Sequence, residues 1–265
     1  MRPLHFLSLL LLLACQNPES SKTQKDTITN SSNLHILGLI GGTSWHSTID
    51  YYRSINESVN AHYGNNTNPP LLVYTMNQAQ VHQYQVEDNW EGIADMLTEG
   101  AERLINGGAE QVMFCANTPH KVYAQVAANI DVPILHIADA TAASIQASGL
   151  KKVCFLGTKY TMTEDFITQR IADSGIDIVA PSDSEEVEEL HRIIIEELTY
   201  NKIVPDSKQY VLDVIQSFVE QGVEGVILGC TEFPLMIFEE DLSIPIFNTT
   251  EIHAQAGVKF VLGDS

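Results

Sequence analysis

The sequence predicts an α/β protein built from two similar parallel-sheet units, and three observations lead there. The composition is that of a globular chain, 44% apolar and 18% charged over 265 residues. From Leu34 onward, short apolar runs closed by Gly or Ser alternate with stretches of helical period, the pattern of buried parallel strands covered by helices on both faces. A shift of 115 residues places Gly42-Thr43 on Gly157-Thr158, Gly107 on Gly222, Cys115 on Cys230 and Pro119 on Pro234, each just after an apolar run.

The order of elements begins with two segments outside the fold. Residues 1–14 carry Arg2, then an apolar run centred on Leu7 to Leu13. At roughly 11 residues that run is too short to cross a bilayer, which takes about 20, and has the length of a signal-peptide core. Leu12-Leu13-Ala14-Cys15 resembles a bacterial lipobox, so Cys15 is the expected lipidation site and the cell envelope, on the periplasmic side of a bacterial membrane, the expected location. Residues 15–33 are polar, without apolar period, and read as a flexible tether.

Candidate strands follow at 35–40, 71–75, 111–115 and 132–136, then at 153–156, 177–180, 226–228 and 244–247. Helical stretches lie between them, for example at 49–61, 90–106, 163–173, 184–200 and 207–221, with Gly107-Gly108 and Gly222 as stops. The expected domains are 34–131 joined by 246–265, and 132–245. Ligands of open parallel sheets bind beyond the carboxyl ends of strands. Cys115 and Cys230 both fall at such an end, so two related units would set one thiol on each side of a shared cleft.

A thiolate is both base and nucleophile, with an ordinary pKa near 8.5. Two sulfurs on opposite faces of one carbon suit inversion there, one taking a proton and the other delivering one. Each cysteine is followed by a polar turn with a proline, Ala116 to His120 and Thr231 to Pro234, where N–H groups and the hydroxyls of Ser44, Thr118, Thr158 and Thr231 would hold an anion. Cys154, inside an apolar strand, reads as a small buried hydrophobe. The nine histidines show no metal-ligand spacing, and Gly41-Gly42 lacks the Gly-Lys-Ser/Thr ending of a phosphate loop.

Residues 38–48 (Gly-Leu-Ile-Gly-Gly-Thr-Ser-Trp-His-Ser-Thr), 115–121 (Cys-Ala-Asn-Thr-Pro-His-Lys), 136–141, 156–162 and 229–234 (Gly-Cys-Thr-Glu-Phe-Pro) together resemble the aspartate/glutamate racemase family. The resemblance implies two flavodoxin-like domains related by a pseudo-two-fold axis, with the active site in the cleft between them. It also implies racemisation of an amino acid with no cofactor and no metal, and in particular without pyridoxal phosphate. Carried over, Cys115 and Cys230 are the catalytic pair, while Asn117, Thr118 and Thr231 hold the α-carboxylate or ammonium group. Glu232 stands where glutamate racemases have His. Aspartate-specific relatives carry Arg and Lys at the positions of His82 and Thr199, with Lys202 and Lys159 the candidate replacements here; the pattern looks more like the broad-specificity branch.

Fourteen Lys and Arg against 34 Asp and Glu, a net charge of −20, exclude a nucleic acid partner. The expected partners are an amino acid substrate and a membrane touched only through a lipid anchor, with a homodimer left open. The competing readings are a lipid-tethered amino acid binding protein on the same fold and a related hydantoin racemase or maleate isomerase. A receptor has no need of paired thiols.

Overall fold

A computed structural model describes residues 34–264. The expected signal peptide, tether and Cys15 lie outside the described residues.

Eight strands form two four-stranded parallel sheets. The first holds β1 (Leu37–Gly41), β2 (Leu71–Thr75), β3 (Gln111–Phe114) and β4 (Ile134–Leu135) in the order β2-β1-β3-β4. The second holds β5 (Lys152–Leu156), β6 (Asp177–Val179), β7 (Gly225–Leu228) and β8 (Ile246–Asn248) in the order β6-β5-β7-β8. The strand order is the same in both, which is the repeat seen in sequence. The 115-residue offset carries β1 onto β5 residue for residue, while β2 and β6 fall out of step because the first crossover is longer than its counterpart.

Ten α-helices are described: α1 (Trp45–Tyr63), α2 (Gln78–Val86), α3 (Trp90–Asn106), α4 (Tyr123–Ala127), α5 (Ile137–Ser148), α6 (Lys159–Thr163), α7 (Asp165–Ala172), α8 (Ser184–Arg192), α9 (Pro205–Glu220) and α10 (Thr249–Leu262). Side chains of the first sheet alternate between two cores, as a strand period of two requires. Ile40, Val112 and Phe114 pack with Ile93, Leu97 and Ala101 of α3. Leu37, Leu39, Met113 and Cys115 pack on the opposite face with Tyr51, Ile55 and Val59 of α1 and with Ala254, Val258 and Val261 of α10. The chain therefore crosses the second sheet and returns to close the first. The second sheet has one continuous core, from Phe155 and Ile227 to Val211 and Ile215 of α9.

Two departures from the expected helices matter for the site. The apolar period across 184–200 predicts one helix, but the α-helix stops at Arg192 and continues as a π-turn, Ile193–Glu197, then a 3-10 turn, Leu198–Tyr200, ending at left-handed Asn201. The hydrophobic stripe persists through that change because Ile193, Ile194 and Leu198 are all buried, so periodicity alone does not register the extra residue per turn. The stretch 163–173 is broken at Glu164, whose extended backbone ends α6 and starts α7 while its carboxylate pairs with Lys121 at 2.7 Å.

Candidate active site

Four loops, each leaving the carboxyl end of a strand, converge on one cavity: Thr43 and Ser44 after β1, Ala116 to Thr118 after β3, Thr158 after β5 and Gly229 to Glu232 after β7. His82 and Gln85 of α2, together with Ile194, Ile195 and Thr199 of the irregular segment after α8, complete the wall. The cavity measures about 40 Å³, room for little more than water. Anything larger than water enters only when these walls part.

The first loop is fixed from within. Gly42 has φ +92, with the backbone of Met76 where a Cβ would stand, so only glycine fits. Its N–H donates to Thr48 Oγ1 at 3.1 Å, and Thr48 in turn donates to the Ser44 carbonyl at 3.0 Å. Ser44, extended at φ −133, caps α1 and is 5% exposed. The loop after β7 is fixed in another way: a Cβ on Gly229 would overlap the Phe155 ring, so the chain passes tightly over the β5 core just before Cys230.

Cys230 lines the cavity and donates its S–H to Glu232 Oε2 at 3.0 Å; Thr231 Oγ1 donates to the same oxygen at 2.8 Å. Ser47 of α1 donates in turn to Thr231 Oγ1, so a short relay links the first half to the cysteine loop of the second. Burial, reinforced by the charge of Glu232, holds the Cys230 thiol well above its ordinary value. At rest it is an S–H with its acceptor already in place.

Across the cavity, Asn117 donates through Nδ2 to Thr249 Oγ1 at 2.9 Å, and that hydroxyl spends its own proton on the Leu228 carbonyl at 2.8 Å. Thr249 can therefore only accept from Asn117, which fixes the amide with its Oδ1 on the other side. Thr118 and Thr158 meet at 3.2 Å through their hydroxyls, and Thr158 continues to Thr161 at 3.2 Å. Beneath this loop His120 donates from Nδ1 to the carbonyls of Ala116 and Asn117 at 3.0 and 3.2 Å, leaving Nε2 to accept from Ile137 N–H at 3.3 Å. Burial lowers the His120 pKa to about 4, so the imidazole is neutral.

Asn117 Oδ1 and Glu232 Oε1 are two of the four buried side-chain polar atoms without a hydrogen-bond partner among the described residues. Leaving such an atom unpaired costs about 1–3 kcal/mol. Both are acceptors, both belong to residues of the cavity wall, and they come from opposite halves of the repeat.

Of the residues expected from sequence, Ser44, Asn117, Thr118, Thr158, Cys230, Thr231 and Glu232 all line this cavity. Cys115 does not. It is 2% exposed and packs in the core with Leu39, Tyr51 and Ala254, so Ala116 rather than the thiol faces the cavity. Strand parity is the reason: Cys115 follows β3 on the same side as Met113, toward α1 and α10. Burial alone pushes its thiol far above the ordinary value. Cys154 is fully buried in β5, with its pKa pushed up to about 12 by burial. His82 and Thr199 both reach the wall, whereas Lys159 and Lys202 do not. Ser47 and Thr249 support the site without belonging to any of the motifs' expected site residues. The N-cap spacing from Ser44 was the only sequence signal for the first, and Asn248 as a cap before Thr249 the only one for the second.

The Asp/Glu/hydantoin racemase family model matches residues 40–257. A crystal structure from Yersinia pestis, of a protein provisionally assigned as an Asp/Glu racemase, is 41% identical, covers 86% of this chain and all of its own, and superposes with a TM-score of 0.80. The structure of an aspartate racemase homologue from Pyrococcus horikoshii is 37% identical with a TM-score of 0.74, covering 86% of this chain and 99% of its own. A glutamate racemase of Streptococcus pneumoniae is 26% identical over 160 residues, 59% of this chain and 53% of that protein. The chain thus spans about half the length of the curated relatives it matches.

Proposed function

The chain belongs to the Asp/Glu/hydantoin racemase family, and from that premise we propose that it racemises an amino acid by proton transfer at Cα between two thiols, without a cofactor. The observation that carries this reading is the pair of buried acceptors without donors, Asn117 Oδ1 and Glu232 Oε1, in a cavity walled by Cys230. An α-ammonium group brings three N–H donors and a positive charge, and satisfies both. The hydroxyls of Ser44, Thr118 and Thr158 then serve the α-carboxylate, which leaves Cα beside the sulfur of Cys230.

In one direction the thiolate facing Cα–H takes that proton, and the C–H electron pair passes into the carboxylate as an enediolate. The thiol on the opposite face gives its proton to Cα, so the two sulfurs exchange protonation states. In the reverse direction their roles swap. Glu232, already accepting the Cys230 S–H, is the group that receives this proton when Cys230 serves as base. In this reading Cys115, one residue from the wall, is the second thiol, and its part requires the segment from Cys115 to Thr118 to turn toward the cavity when substrate binds. The arriving ammonium charge favours the thiolate of the one cysteine that serves as base, while the other keeps its proton.

The envelope location read from residues 1–33, with Cys15 as the lipid anchor, is part of the same proposal. Incubating the full chain with a panel of single-enantiomer amino acids and resolving the products by chiral chromatography tests the activity. At least one amino acid should racemise without added cofactor. A panel on which no enantiomer interconverts overturns the reading.

A further inference from the structure

Outside the inner cavity lies a second, open recess of about 580 Å³, lined by Trp45, His46, Gln78, Ala79, His82, Ile195, Thr199 and Tyr200. Three of these, His82, Ile195 and Thr199, also line the inner cavity, so they form the partition between the two spaces. One side of the partition is α2. The other is the π and 3-10 segment after α8, a stretch without the regular α-helical ladder and therefore the more yielding wall. A substrate held by its α-groups in the inner cavity has one way to extend a side chain toward this recess, between those three residues.

Among the described residues, neither space is lined by Lys, Arg or Asp, and the only carboxylate in either wall is that of Glu232. Burial lowers the His82 pKa below the usual histidine value. Lys159 Nζ lies 3.7 Å from Glu188, and Lys202 Nζ sits over the Tyr200 ring at 5.6 Å, beside the outer recess and outside the inner cavity wall. A side-chain carboxylate held at the partition would lose water, meet no Lys or Arg of the inner wall and share a small cavity with Glu232. The recess beyond offers flat aromatic faces instead. Trp45 is 51% exposed and stacked on His46 at 3.6 Å between ring centroids, and Tyr200 is 71% exposed at the rim.

We propose that the substrate is an amino acid with a long uncharged side chain, which passes between His82, Ile195 and Thr199 and lies against Trp45 and Tyr200 in the outer recess. This rests on the racemase reading and adds the substrate class to it. Aromatic rings, thioethers and side-chain amides all suit such a surface, through stacking, sulfur contact and apolar burial. Aspartate and glutamate do not.

The test is kcat/KM of the full chain for L-methionine, L-phenylalanine, L-glutamine, L-alanine, L-aspartate and L-glutamate, followed by chiral chromatography. The best long uncharged substrate should exceed aspartate and glutamate by about 100-fold or more, the factor an unpaired buried charge imposes. Trp45→Ala should lower the methionine-to-alanine ratio about tenfold, the scale of a lost apolar contact. His82→Arg should shift the ratio toward aspartate. If aspartate or glutamate is the best wild-type substrate, or if methionine and phenylalanine are no better than alanine, the recess is not the side-chain site although the racemase reading stands. If nothing in the panel racemises, the racemase reading fails first. Trp45 fluorescence in a Trp90→Phe background then decides the subsite separately, because quenching by methionine but not aspartate supports it and an equal response to both overturns it.

Discussion

Replacing Glu232 by Gln keeps the shape of the side chain and removes its charge and its capacity to take a proton. In the wild type, Glu232 Oε2 accepts from both Cys230 and Thr231, and Oε1 has no partner. A glutamine can still accept through one oxygen, but it places an NH₂ where the substrate ammonium is to bind and cannot receive the Cys230 proton. Loss of a positioned general base costs about 10²–10⁴-fold, and the wrong-way amide adds to KM as well as lowering kcat. The pH dependence moves in a defined direction. Cys230 is held high first by burial and then by the Glu232 charge, so removing the charge lowers the thiol pKa. The limb of kcat/KM that rises with pH as the thiol ionises should therefore shift to lower pH in Glu232→Gln, while its plateau falls by about 10²-fold or more. Initial rates of racemisation between pH 6 and 10, followed by circular dichroism, read both quantities. A variant that keeps more than about a third of wild-type kcat/KM, far above the loss expected for a missing base, with an unmoved limb would refute the coupling of Glu232 to Cys230.

Other outcomes follow from the same contacts. His120, His136 and His253 are buried and all three pKa values are lowered, chiefly by burial, that of His120 to about 4. A folded pKa below the unfolded one means stability is fully present above the unfolded value of about 6.5 and is lost as pH falls toward 4; His120 alone should remove about 2 kcal/mol between pH 7.5 and 5. Urea unfolding at the two pH values checks this, and a flat stability would contradict it. Thr249→Val strips the acceptor from Asn117 Nδ2 and the donor from the Leu228 carbonyl, and should cost about 1–3 kcal/mol in stability and raise KM, because the Asn117 amide is no longer held in one orientation. Cys15→Ala should abolish lipid labelling and release the chain from the membrane fraction of a Gram-negative host; equal labelling of wild type and variant would remove the anchor from the account.

Much of the architecture could be read from the chain alone because each strand is short, apolar and closed by a turn residue. The strand 71–75 and the helix 90–106 match their observed bounds, and the two similar parallel-sheet units expected from the repeat are present, with one strand order. The limits of that reading have physical causes. A π-turn keeps the apolar stripe of an α-helix, so Ile193–Glu197 is invisible to periodicity. α1 starts at Trp45, four residues before the helix expected at 49–61, because Trp45 and Ile49 are half exposed and give no buried stripe there. Motif positions found seven of the cavity-wall residues, yet a motif gives the place of a residue in the chain and not the side its Cβ takes. Cys115 shows the difference: the observed strand stops at Phe114, one residue before it, and its side chain lies in the core with Met113. The supports Ser47 and Thr249 act through single hydroxyl contacts from distant segments, which no local pattern encodes.

The most direct measurement of the central claim is racemisation in D₂O by wild type, Cys115→Ser and Cys230→Ser, with deuterium at Cα of each enantiomer followed by mass spectrometry after chiral separation. Two thiols on opposite faces predict that wild-type deuterium appears first in the product enantiomer. Each serine variant should lose at least about 10²-fold in racemisation in both directions, since serine is nearly isosteric and far less acidic. Retention of more than about a tenth of wild-type racemisation by either variant, against that expected loss, would contradict the two-thiol account, and for Cys115 it would mean that the buried thiol is only a core residue.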